Sequence, residues 1–394
     1  MSRRNTTFRG LATGWLLGLL FVAVFADFLA NDRPLIAKVG DEIRFPVLHD
    51  YGRSLGLVAG YQPLVRNWSR VETEWAVWPP VPYAAEASDV RNGNFKSPFD
   101  AQETGDRARH YLGTDALGRD VLAGLISGAR VAIVVGLGSV LLTLLIGVPL
   151  GGVAGFFGNE GLRGPRYHWW GWTVGGTLGV IYAFVCLFPF FGEIGGPAQF
   201  LLVVAAFTAF GLLLRLALRL IPSMRKPMAF PADTLILQGI ELFVNIPGLV
   251  LLIALLAIID RPSIWIVVLV IGVLGWPTIA RYLRAELLRI KQLPYIEAAK
   301  VSGIGRWRTL FYHALPNALG PLLVISCFGI GSAILLEALL SFLGVGIPSD
   351  QVTWGTLLRY SQSQPTAWWL AVFPGLLLTG TVLAANGLSE QNNG

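Results

Sequence analysis

Apolar stretches of about twenty residues recur along this chain, and that recurrence constrains its fold more than any single motif. They cover roughly 11–30, 131–157, 170–192, 198–220, 234–259, 263–280, 318–344 and 367–388. A helix needs about 20 residues to span the hydrocarbon core of a bilayer, where every backbone hydrogen bond must close within the protein. The runs therefore predict an all-α fold, a polytopic membrane helix bundle of about eight transmembrane helices. Charged residues make up only 14% of the chain, against roughly 25% in soluble domains. The formal net charge is +6, but the cations flank apolar runs and form no aromatic-interleaved patch, so they read as topology signals and not as a nucleic-acid surface.

Lys and Arg in short loops orient the bundle. With Arg3, Arg4 and Arg9 inside, the inner loops hold Arg163 and Arg166, then Arg225 and Lys226, then the cluster Arg281, Arg284, Arg289, Lys291, Lys300, Arg306 and Arg308. The outer loops hold little beyond Arg261 and Arg359. Both termini then fall in the cytoplasm. Residues 1–30 form a retained first span, and 31–118 an extracytoplasmic segment. Its aromatics Tyr61, Trp68, Trp75, Trp78 and Tyr83 lie among Pro79, Pro80 and Pro82, as in a compact cap.

Glycines recur at helix-packing spacing: Gly124 and Gly128, then Gly147, Gly151 and Gly155, then Gly171, Gly175 and Gly179. This suits close helix contact within the chain or across a homodimer. Cys186 and Cys327 sit inside apolar runs and read as inert thiols, with no metal-ligand set around them. The four histidines, His49, His110, His168 and His313, lie outside the predicted membrane cores, which disfavours a buried histidine-based nucleophile. No G-x-x-x-x-G-K-[ST] phosphate loop occurs. Intramembrane carboxylates are costly and need a purpose. Glu241, near Asn245 and Pro247, and Glu337 either order the bundle through interhelical hydrogen bonds or line a translocation pathway. Pro247 can kink its helix toward a cavity.

The cytoplasmic loop 281–317 is longer than a bundle connection usually is. "RYLRAELLRIKQ" extends the sixth span as a basic helix until Leu293-Pro294 breaks it. Pro294 suits a first helical position, and Glu297 lies in the first turn, where the helix dipole favours an acid. "YIEAAKVS" is then a two-turn helix, which Gly303 and Gly305 can end by adopting positive φ, and Pro316-Asn317 opens the seventh span. A short stiff helix between two reversals is a docking surface for a cytoplasmic partner, and its paired alanines admit close approach.

The spacing E-A-A, three residues, Gly, nine residues, a variable pair, Leu-Pro is met by Glu297, Ala298, Ala299, Gly303, Leu315 and Pro316. It resembles the ATPase-coupling loop of bacterial ABC-importer permeases, with His313-Ala314 where many members have isoleucine before Leu-Pro. "HYLGTDALGRDVLAGLISGARVAIVVG" and "LLEALLSFLGVGIP" with Trp354-Gly355 are similar to segments of dipeptide and oligopeptide permeases. "FLANDRPL", "FPVLHDY" and "WAVWPPVPY" resemble the microcin-C and oligopeptide subgroup. The resemblance implies a six-helix permease core, here 119–160 and 232–388. Residues 161–231 form an inserted helix pair, and 389–394 a tail shorter than is usual in the family.

It further implies an inner-membrane subunit without an ATPase site of its own and without a cofactor, ATP being bound by separate chains. The partners implied are a second permease, two cytoplasmic ATPase domains and an extracytoplasmic solute-binding protein, and the cargo peptides or peptide-like solutes. Two other classes compete. One is an ion-coupled secondary transporter using Glu241 and Glu337; the other is a membrane-embedded hydrolase using Ser332, Glu337 and Glu241.

Overall fold

The computed structural model describes residues 2–54, 68, 71, 73–103, 108–187, 196–259, 263–348 and 351–389. Tyr61, Arg261, the end of the 170–192 run, the side chain of Cys186 and the tail beyond 389 lie outside what is described. The principal helices are α1 (Ser2–Val24), α2 (Val121–Phe157), α3 (Gly176–Leu187), α4 (Gly196–Arg219), α5 (Ala232–Val244), α6 (Gly248–Ala257), α7 (Ile264–Ile290), α8 (Pro294–Val301), α9 (Arg306–Leu343), α10 (Trp354–Ser363) and α11 (Trp369–Ser389). Among the described residues five helices are long and apolar enough to span a bilayer, or six if one bent pair counts as a span.

Two expectations change. The 234–259 run is not one kinked helix: it breaks between α5 and α6 with a 78° bend. Pro247 is the N-cap residue of α6, with extended-type ψ of 112°; a residue without N–H fits the start of a helix better than its interior. The seventh span does not begin at Pro316. Helix runs continuously from Arg306 to Leu343, with a wide π turn at Leu310–Ala314. A proline ring crowds the carbonyl four residues earlier, and the loosened turn takes up that clash. Within the helical fold there are also two small sheets. β1 (Ile36–Val39), β2 (Glu42–Arg44) and β3 (Trp75–Val77) form an antiparallel sheet in the order β2-β1-β3, with Ala37 opposite both Arg44 and Ala76.

The chain divides into two compact units, 1–148 with 243–280 and 316–394, and 149–242 with 281–315. The core of the first is built around Trp354, 1% exposed, whose indole N–H donates to the Leu125 carbonyl at 2.9 Å. It lies against Gly128, where an added Cβ would come within 2.5 Å of the ring. Gly355 likewise packs its Cα face on the Ala338 backbone, where a Cβ would approach the carbonyl oxygen to 2.3 Å. Ser139 and Thr143 donate to the carbonyls of Val268 and Gly272 at 3.2 and 3.0 Å, joining α2 to α7.

Ahead of α2, the "TDALGRD" stretch folds into a buried polar knot. Asp115 accepts from the backbone of Leu117 and Arg119 and from the Arg119 guanidinium, which also donates to the Tyr360 hydroxyl at 2.8 Å. Asp120 caps α2 by accepting from Ala123 N at 2.7 Å and meets the buried His110 ring at 2.8 Å. This cap starts α2 at Val121 instead of 131. Asp27, just past α1, pairs with Arg130 of α2 and with Tyr51, giving that carboxylate a structural use.

In the second unit the helical stretch 166–187 packs on α4. An added Cβ at Gly171, Gly175 or Gly179 would meet Arg215, the Phe210 carbonyl or the Ala206 carbonyl at 2.4–2.6 Å, so this glycine stripe is used within the chain. β4 (Arg163–Pro165) pairs antiparallel with β5 (Pro227–Ala229), and this clasp closes the chain at both ends of the helix pair.

Candidate functional site

Residues 281–315 belong wholly to the second unit, so α8 and the turn that ends it are described within that unit. α7 carries its helix past the apolar stretch to Ile290, as the basic pattern predicts. Arg284 on this extension forms a two-point ion pair with Asp233 at the start of α5, Nη2 to Oδ2 being 2.7 Å. Gly155 of α2 lies close against the Arg284 backbone, where a Cβ would come within 2.8 Å of the carbonyl oxygen. The approach to α8 is thus fixed on two sides.

α8 starts where the sequence requires it. Leu293 is extended at φ −78°, ψ 143°, as the residue before a proline prefers, and Pro294 takes the first turn. Ile296 is fully buried and Ala299 is 7% exposed, three residues apart on one face. Glu297, Ala298, Lys300 and Val301 are exposed. Glu297 is therefore free at the surface, in the first turn where its charge complements the dipole. Of the paired alanines, Ala298 faces out while Ala299 anchors the helix.

The end of α8 is a Schellman motif. Gly303 N donates to Lys300 O at 3.1 Å and Ile304 N to Ala299 O at 3.1 Å, with Gly303 at φ +75°. This conformation explains the glycine in the spaced motif. Gly305 is different: its φ is −59°, and it serves as N-cap residue to the helix that begins at Arg306. Thr309, 1% exposed, donates both its N–H and its hydroxyl to Gly305 O. Leu315 is half-buried after the wide turn, and Pro316, which begins the part of α9 in the first unit, is exposed.

Beside α8 lies a cavity of about 540 Å3 lined by Phe156, Phe157, Glu160, Arg163, Lys291, Lys300 and Arg306, among others. Arg306 Nη1 donates to Gly161 O at 2.9 Å. Burial, followed by the nearby charges of Lys300 and Arg306, lowers the pKa of Lys291, against a smaller opposing pull from Asp233. The sequence made these cations visible only as members of a basic cluster; their convergence depends on the turn at Gly303 and on the end of α2.

The remaining candidates belong to other elements. Glu241, Asn245 and Pro247 are exposed, Glu241 on α5 and the other two in the break before α6. Glu337 on α9 is 2% exposed and accepts from the Ser341 hydroxyl at 2.8 Å and from the Thr353 side chain. Thr353 in turn caps α10 in a capping box with Thr356. Glu337 therefore has satisfied partners that tie α9 to the start of α10. Ser332 is exposed on α9.

The profile of a family described as the inner-membrane component of binding-protein-dependent transport systems matches residues 228–391, which include the whole α8 segment. The chain is 25% identical over 387 residues to a peptidoglycan transport system permease protein of Agrobacterium fabrum, covering 92% of this chain and 83% of that one. It is 29% identical over 287 residues to a di/tripeptide transport system permease protein of Pseudomonas aeruginosa, covering 73% and 71% respectively. An inner-membrane ABC transporter permease protein of Escherichia coli is 26% identical over 374 residues, 92% of this chain and 86% of that one.

Proposed function

We infer that this chain, a multi-pass inner-membrane permease subunit of an ATP-binding-cassette importer of the oligopeptide type, moves peptides or peptide-like solutes into the cytoplasm and is driven through α8. The observation that carries this reading is the construction of α8: a two-turn helix anchored by Ile296 and Ala299, bounded by Pro294 and a Gly303 Schellman turn, with Glu297 and Ala298 presented outward. Such a helix transmits a push without bending, because both ends are fixed by backbone geometry.

In this reading α8 seats in one of two cytoplasmic ATPase domains carried on other chains. A second permease completes the pathway, and an extracytoplasmic binding protein delivers the solute. Both termini and the loop 281–317 lie in the cytoplasm. Closure of the ATPase pair moves α8, and the bundle shifts between outward-open and inward-open arrangements, a coupling that needs an element both sites bias. Glu241 on α5, and Asn245 and Pro247 in the break before α6, are each exposed and are offered to the pathway, because backbone groups freed at a break can face a cavity. Glu337 contributes by holding α9 to the cap of α10.

A cross-link tests the docking. Ala298→Cys in the assembled complex, paired with cysteines along the ATPase surface, should give an ATP-sensitive cross-link, while a cysteine at exposed Val90 of the 31–118 segment should give none. Absence of any α8 cross-link in an assembled complex that hydrolyses ATP contradicts the reading.

A further inference from the structure

The cavity beside α8 has an uneven charge balance. Arg163, Lys291, Lys300 and Arg306 line it against one carboxylate, Glu160. Among the described residues none of these four cations forms an ion pair. Arg306 is held in place by its bond to the Gly161 carbonyl, so its remaining guanidinium donors have a fixed direction. One wall is apolar, from the buried rings of Phe156 and Phe157.

The cavity also sits at a recognisable depth. Phe157 packs on Trp307 with ring centroids 4.5 Å apart, Trp307 stacks on Phe311 at 5.9 Å, and Trp307, Phe311 and Tyr312 are 50–74% exposed. Exposed aromatics at the end of an apolar helix mark the headgroup level of a bilayer. Basic pockets between membrane helices at the cytoplasmic face suit anionic headgroups, in which phosphate oxygens meet guanidinium and ammonium donors.

We propose that this cavity binds a phosphate group, presented by an anionic phospholipid of the inner leaflet with its acyl chains against the aromatic wall. Free phosphate shares the headgroup's chemistry, and the test separates the two. The inference rests on the cytoplasmic placement of α8 given above. A bound headgroup would neutralise the repulsion among Lys291, Lys300 and Arg306 and brace the turn at Gly303, making the stiffness of α8 depend on the surrounding lipid.

The delipidated importer complex, titrated with phosphatidylglycerol, phosphatidylcholine or inorganic phosphate and read by native mass spectrometry, decides the matter. Phosphatidylglycerol should bind in preference to phosphatidylcholine, and R163Q/K291Q, which removes two cations, should weaken it roughly 30-fold. E160Q, which removes the opposing charge, should tighten it, and serves if the double variant does not assemble. Displacement of lipid by millimolar inorganic phosphate would keep the phosphate site and assign it to the free ion. Equal binding of the two lipids, unchanged binding in R163Q/K291Q and E160Q, or loss of the ATPase subunit in place of lipid would overturn the proposal. The α8 cross-link is read separately, so failure of the docking reading and failure of the lipid site are distinguishable.

Discussion

At Gly303 a single backbone angle decides where α8 stops. Its φ of +75° lies in open space, with nothing near an added Cβ, so Gly303→Ala meets only the left-handed conformational penalty, about 1–2 kcal/mol. We expect that variant to insert normally, fray the end of α8 and lose part of its coupling, measured as ATP hydrolysed per solute transported. Glu337 makes the opposite case, being defined by its partners. Glu337→Gln keeps an acceptor for Ser341, whereas Glu337→Leu strands the Ser341 and Thr353 hydroxyls and should cost about 1–3 kcal/mol, read as a lower Tm in detergent than that of the Gln variant. Gly303 was legible because motif spacing and a positive-φ requirement are both local. The role of Glu337 was not, because Thr353 reaches it from the start of the next helix, beyond the loop that follows α9.

Among the elements, helix identity followed apolar run length, but breaks and tight contacts followed packing. Pro247 and Pro316 look alike in sequence, yet one starts a new helix and the other sits inside a continuous one. The difference is the wide turn at Leu310–Ala314, which makes room for the Pro316 ring. Strands of three residues such as Arg163–Pro165 and Pro227–Ala229 are too short to show alternation, so the clasp they form had no periodic signal. The Trp354-Gly355 pair shows a contact that motif resemblance flagged without explaining. Gly355→Ala drives a Cβ against the Ala338 carbonyl oxygen, which is helix backbone and cannot move aside. That substitution should sharply reduce the amount of folded protein recovered from membranes, whereas Gly375→Ala, with open space around its Cβ position, should leave recovery unchanged.

For the whole molecule, the orientation proposed from the basic loops makes a labelling prediction. Val90 and Val301 are 88% and 90% exposed, and the account puts them on opposite sides of the membrane. A cysteine at 90 should react with an impermeant maleimide added to intact spheroplasts, and one at 301 only after permeabilisation. The small sheet at 36–77 escaped the sequence reading because its strands are short and lie in a segment whose aromatics suggested only a packed cap.

The central claim, that α8 converts ATP hydrolysis on other chains into movement here, is tested most directly by substrate-stimulated ATP hydrolysis of the full importer in proteoliposomes carrying Glu297→Lys. Glu297 is exposed and has room for the longer side chain, but the new charge opposes the helix dipole and reverses the charge presented outward. Under this reading stimulation falls to the unstimulated rate while the permease stays inserted. Stimulation at the wild-type level would contradict it.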